Sequence, residues 1–328
     1  MNTFYIGPYR QKNLTGCLSN SIIEYLAAKK PSSETLTARP IYLEKNAKTR
    51  DCGKAIVDAE KTLVDNYDLV IQNSTLEALV PIPNVKNYFM PITSNKNFSN
   101  EELVTLHNCD KILADNIFDY SRFSSIFGEQ KTVLFDYDVK IPRDINPINL
   151  GLYNHMQKLY FIGDYAKNIE LIKSLVVSFV LFSRSRENIC IFFFLTDQNT
   201  SSINELKKFS EYTYGHLKIT NSITRTLFLN ANIEEESINQ CHKSCDIFLD
   251  LNDDCRNSYN RKYAEAYGNY VIGLEDLDFF SIATNNGMIN ENGFSTPTPI
   301  SLMKAMENVT KKQNAEISKN KLETLIWN

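Results

Sequence analysis

The feature that most restricts this chain is a series of short apolar runs, each followed by a turn and then by a stretch of helical spacing. The most extreme is Ile189–Leu195, ICIFFFL, seven consecutive apolar residues. A strand with one wet face alternates apolar and polar residues; a run that is apolar throughout must be covered on both faces. Helices that cross over between parallel strands provide that cover, so the pattern predicts α/β architecture. Residues 3–6, 68–72, 85–91, 111–114 and 132–135 read as strands in the first half, and 158–162, 226–229, 246–249 and 270–272 in the second. Helical spacing is read at 18–28, 168–182, 201–212, 233–243, 260–267 and 300–327.

Residues 137–153 contain Pro142, Pro147 and Gly151 without periodicity and read as a linker. A chain of 328 residues is long for one domain and suits two. The expectation is therefore two Rossmann-like domains facing each other across a cleft. Residues 1–150 would form the first domain and 151–305 the second, with a Lys-rich helix at 306–328 crossing back onto the first. With 43% hydrophobic and 23% charged residues, disordered and fibrous classes are excluded. A formal charge of −4 counts against a nucleic-acid binder that uses its whole surface. Seven cysteines in no framework spacing, with no leader-like start, imply reduced thiols and a cytoplasmic protein. The apolar stretch 171–182 is interrupted by Lys173 and is too short to span a bilayer.

In open α/β sheets ligands sit outside the carboxyl ends of the strands, so the turns after strands hold the candidates. Gly7 and Gly16 flank the loop between the first strand and its helix, and glycines there let a backbone approach a ligand. The dinucleotide spacing G-x-G-x-x-G is absent. Gly163-Asp164-Tyr165-Ala166-Lys167 follows a strand and opens a helix. A lysine at a helix start opposes the macrodipole, and is sensible if an anion such as a diphosphate lies in front of it. Residues 252–273 run from a polar loop into a helix bearing Arg261, Lys262 and Glu265. Arg261 could clamp a phosphate and Glu265 could accept ribose hydroxyls; at i,i+4 they could equally pair with each other.

These segments, in this order, resemble the large retaining family of GT-B glycosyltransferases, and the resemblance covers most of the chain. That family opens its second domain with strand–G-R-x-x-x-x-K–helix, against Gly163, Asp164 and Lys167 here. Its later E-A-x-A-x-G-x-P-V-I segment is met by Ala264-Glu265-Ala266-Tyr267-Gly268-Asn269-Tyr270-Val271-Ile272. The resemblance implies transfer of a sugar from a nucleoside-diphosphate sugar, with retention and with no cofactor or metal. Lys167 and Arg261 would hold the diphosphate and Glu265 the ribose, as the catalytic set. Gly7, Gly16, Gly163 and Asn257 would line the donor site. The departures are specific. The phosphate arginine is Asp164. Eight residues before Glu265 stands Asn257, not an acid. Without a gap, Tyr263 falls at the second acid and Cys255 at the first; Glu265 is preferred because a carboxylate suits ribose. The family's first-domain histidine meets Tyr88-Phe89-Met90, and His107 reads as a surface helix residue.

Two D-x-D turns, Asp136-Tyr137-Asp138 and Asp276-Leu277-Asp278, have the form that holds a divalent metal in the other glycosyltransferase fold. Cys241, His242 and Cys245 have metal-ligand types but no second pair at zinc spacing, and read as core residues. Residues 1–54 carry nine cationic and four acidic residues in a chain of net charge −4, which points to an anionic acceptor: DNA, a lipid phosphate or a glycan. Two rivals are a catalytically degenerate nucleotide- or sugar-binding module of the same fold, and a Rossmann-like oxidoreductase or sugar epimerase.

Overall fold

The computed structural model describes residues 1–310 except 44, 46–47, 93–97, 116, 138, 143, 197–199, 220–224, 232–233, 252–255 and 274–297. The chain divides into two compact units. One is Met1–Pro142 with Ile233–Glu235 and Asp253–Ala266; the other is Arg143–Asn232 with Glu236–Asn252 and Tyr267–Asn328. Each is built on one all-parallel sheet with helical crossovers, as the apolar runs require.

The first unit runs β1 (Asn2–Gly7), α1 (Leu14–Lys29), β2 (Thr35–Pro40), α2 (Lys54–Lys61) and β3 (Leu69–Ser74). It continues with β4 (Lys86–Pro91), α3 (Asn100–His107), β5 (Lys111–Ala114), α4 (Ile117–Phe127) and β6 (Thr132–Leu134). The strand order is β2-β1-β3-β4-β5-β6. The chain steps from β1 outward to β2, then returns to the other side of β1 for β3, so the order reverses between β1 and β3. All six residues of β3 are buried, as a central strand covered on both faces demands. Asn13 caps α1 by accepting from the Gly16 N–H, and a reciprocal Ser99–Glu102 capping box starts α3.

The second unit runs β7 (Gln157–Gly163), α5 (Tyr165–Phe182), β8 (Ile189–Leu195), α6 (Thr200–His216) and β9 (Thr226–Asn230). After α7 (Glu235–Ser244) come β10 (Ile247–Asp250) and β11 (Tyr270–Gly273), with α8 (Arg256–Ala266) between them. Residues 299–310 are helical and form α9. The order is β11-β10-β7-β8-β9, reversing between β7 and β10. Every residue of β8 is buried, and Phe192, Phe193 and Phe194 are fully enclosed. Burying each such ring contributes about 1.5–3 kcal/mol, so this strand anchors the unit's core.

Three boundaries differ from expectation. The first unit ends at Pro142 rather than at 150. Helix α8 lies between two strands of the second unit in sequence, yet clusters with the first. It does so because Tyr263, on its inner face, is buried beside α1 residues Cys17 and Ser21. Residues 306–310, expected to pack on the first unit, instead place Met306 and Val309 in the second unit's core with Leu302 and Ala305; residues 311–328 lie outside the described residues. Among the described residues, no helix is long and apolar enough to cross a membrane.

Candidate functional site

The sheet of the second unit reverses between β7 and β10, which pair at Ile247↔Leu159 and Phe248↔Tyr160. A crevice for a ligand is expected outside the carboxyl ends of such neighbouring strands. At the end of β7, Gly163 accepts from the Thr196 N–H at 2.9 Å, tying the turn to the end of β8. Asp164 then caps α5: its carboxylate accepts from the Ala166 N–H at 2.9 Å and the Lys167 N–H at 3.3 Å. Aspartate is among the strongest N-cap residues, so the turn-to-helix transition is encoded locally. Asn168 leaves the helical region, at φ −122° and ψ 18°, and its side-chain amide donates to the Asp164 carbonyl at 2.9 Å. Tyr165 is buried and its hydroxyl donates to Glu205 on α6 at 3.2 Å. The first turn of α5 is thus held from both sides, with the Lys167 side chain exposed upon it. Among the described residues no carboxylate pairs with the Lys167 ammonium.

This arrangement differs from the expected one in a specific way. Two N–H groups foreseen as free for a diphosphate are already satisfied by a carboxylate. An anion at this helix start must displace the Asp164 side chain or bind beside it through Lys167.

Helix α8 belongs to the first unit, so Lys167 and the α8 residues sit in different units. On α8, Arg261 Nε donates to Glu265 Oε1 at 3.1 Å, the internal i,i+4 pair; the Glu265 side chain is half exposed. Asn257 lies within α8, with its side chain outside the described residues. Tyr263 is buried, stacked on Tyr259 at 4.1 Å between ring centres, and bonded to Ser21 of α1. Burial pushes its hydroxyl pKa well up.

Gly7 and Gly16 bound the β1–α1 loop, and both are required by the chain's own packing. A Cβ on Gly7 would stand 2.6 Å from Ser19 Oγ, and one on Gly16 would stand 2.1 Å from the Gln11 carbonyl oxygen. Beside Gly7 the Tyr5 and Ser19 hydroxyls share a buried hydrogen bond at 2.7 Å.

The other candidate groups are placed as follows. His107 is exposed on α3 with its ring against Phe127. Asp136 meets Lys262 Nζ at 3.3 Å, while Asp138 and residues 276–278 lie outside the described residues. Cys241 and Cys245 are buried, and burial pushes the Cys241 thiol up to about 12. His242 is fully buried. Asn269 Nδ2 donates to the Tyr160 hydroxyl at 2.7 Å, and that hydroxyl shares a hydrogen bond with His242 Nδ1 at 2.7 Å. Among the described residues no group of three or more His, Cys, Asp or Glu side chains is disposed to hold a metal ion.

No family model and no curated protein matches the chain. Solved structures are similar to it at low identity. A glycosylation-associated Gap123 complex from Streptococcus agalactiae is 16% identical, with 73% of this chain covered and a TM-score of 0.44; the chain spans 47% of that one's length. The sucrose-phosphate synthase of Thermosynechococcus elongatus is 11% identical over 95% of this chain and 90% of its own, with a TM-score of 0.49. A protein described as a UDP-N-acetylglucosamine 2-epimerase from Listeria monocytogenes is 9% identical over 94% and 88%, also with a TM-score of 0.49.

Proposed function

We propose that the chain binds a nucleoside-diphosphate sugar at the β7–α5 turn and transfers the sugar to an acceptor hydroxyl. The observation that carries this reading is Lys167. It is an exposed ammonium in the first turn of a helix, without a carboxylate partner among the described residues, at the carboxyl end of the strand where the sheet order reverses. A cation there opposes the macrodipole and is repaid when an anion arrives. Gly163 and Lys167 are also the residues of the GT-B resemblance at this turn, four positions apart where the family motif spaces them by six. In this scheme the ammonium neutralises charge developing on the leaving diphosphate, the contribution that dominates such transfers. Arg261 and Glu265, which the resemblance would give to the diphosphate and the ribose, pair with each other on α8 in the other unit. The resemblance adds retention of configuration at the sugar.

A second reading has its own support. Asp164 stands where the resemblance places a phosphate arginine, and its carboxylate occupies the helix start. Arg261 and Glu265 satisfy each other. A module that binds nucleotide or sugar without turnover would tolerate both. Release of nucleoside diphosphate from UDP-, ADP- and GDP-sugars, measured with and without candidate acceptors, separates the two. Turnover that disappears in Lys167→Ala supports transfer; ligand-induced stabilisation with no turnover across the panel supports the binding module.

A further inference from the structure

We infer that the loop ribbon at the carboxyl ends of β1 and β2 is a binding site for a phosphoryl anion, separate from the donor turn. Two connections leave neighbouring strands there and pair with each other. Gln11 and Thr49 form an antiparallel bridge, the Lys12 N–H donates to the Lys48 carbonyl at 2.7 Å, and the Arg50 N–H donates to the Arg10 carbonyl at 2.8 Å. This register sets Lys12 opposite Lys48 and Arg10 opposite Arg50. Lys12 and Lys48 are exposed, whereas the Arg50 guanidinium is turned inward beside Cys17 and Tyr263.

Like charges directly opposed weaken a ribbon, and this one opposes two such pairs. The fold neutralises one pair. Arg10 Nε donates to Glu60 Oε1 at 2.7 Å and its Nη2 to Glu60 Oε2 at 2.5 Å, while Arg50 Nη1 lies 3.5 Å from Glu235 Oε2. It leaves the other pair alone. Lys12 and Lys48 are both exposed, and among the described residues neither ammonium meets a carboxylate. Lys45 and Tyr42 are exposed in the same β2–α2 connection, and Asp51 is the acid that follows the ribbon. A chain that sets two exposed lysines opposite each other in backbone register, beside two arginines already paired with carboxylates, can offer both ammonium groups to one phosphoryl group. Phosphate is favoured over a carboxylate because three oxygens can serve two strands at once. The source is either a phosphate ester on a larger ligand or the free ion.

The inference stands apart from the donor reading, and its test is direct binding. Glycerol 3-phosphate, inorganic phosphate and chloride at matched ionic strength are titrated into the full chain by calorimetry. The same titrations follow in Lys12→Gln/Lys48→Gln and in Lys167→Ala. The expected result is saturable binding that falls at least 10-fold in the double glutamine variant and persists in Lys167→Ala. Tighter binding of glycerol 3-phosphate identifies an ester as the source, and equal binding identifies the free ion. The double variant is also expected to unfold at a higher temperature than the parent without ligand, because a like-charge pair has been removed. Binding that survives the double substitution, or chloride matching phosphate, overturns the inference, and so does a lowered unfolding temperature.

Discussion

Asp164 is the residue on which the donor reading turns. Its carboxylate caps α5 through Ala166 and Lys167, so any diphosphate at that helix start meets a negative charge already in place. Asp164→Asn keeps a capping side chain while removing the charge. We expect it to raise nucleoside-diphosphate affinity by about 2–5-fold, the size of one charge at a helix terminus, in a calorimetric titration. Weaker binding would place the ligand elsewhere. The cysteines set a second test at this scale. Burial raises Cys109 to about 11, and Cys190 and Cys241 to about 12, above the ordinary value of 9.0. Below pH 9 these thiols are protonated in both folded and unfolded chains. Between pH 9 and about 12 the unfolded chain releases protons that the folded chain retains, so stability falls as pH rises through that window. Denaturant midpoints at pH 8 and pH 10 are expected to show the fall, and Cys190→Ala/Cys241→Ala to flatten it; a midpoint as high at pH 10 as at pH 8 would refute this. At the residue scale the sequence showed less than it held. The i,i+4 spacing of Arg261 and Glu265 announced their pairing. The burial of Tyr263 could not be read, because it depends on α1, more than 200 residues away in the chain.

Among the elements, the strongly apolar strands were legible almost to the residue, because only one environment suits them. β8 was read with both ends correct, and β3, β4, β5, β6, β7, β9 and β10 within two residues. β2, with sequence TLTARP, and α2, which buries only Ile56 and Ala59, carry too little apolar signal to stand out before the neighbours that cover them are known. α5 begins at Tyr165, three residues earlier than its apolar spacing indicated, since a cap rather than a stripe starts it. The β1–α1 loop was legible as glycine-bounded, but the packing its glycines also serve was not. Gly16 is where the loop backbone at Gln11 crosses the first turn of α1, with no room for a methyl group. Gly16→Ala is expected to lower stability by about 1–3 kcal/mol by overpacking, measured by denaturant unfolding. An unchanged midpoint would mean that the loop yields without cost, and would return Gly16 to the list of ligand-facing positions.

For the whole molecule, the account rests on two α/β units whose sheets reverse at β1/β3 and β7/β10, and on charge placed near the carboxyl ends of those strands. The net charge of −4 hides an uneven balance, because residues 1–54 carry nine cationic and four acidic residues while acids outnumber cations in the remainder of the chain. The most direct test of the central claim is calorimetric titration of UDP, ADP and GDP into the full chain and into Lys167→Ala. Saturable binding of at least one of the three, weakened about 10-fold by the loss of one charge-assisted contact, is the result the account predicts. No binding by any of them, or equal affinity in the variant, would contradict it.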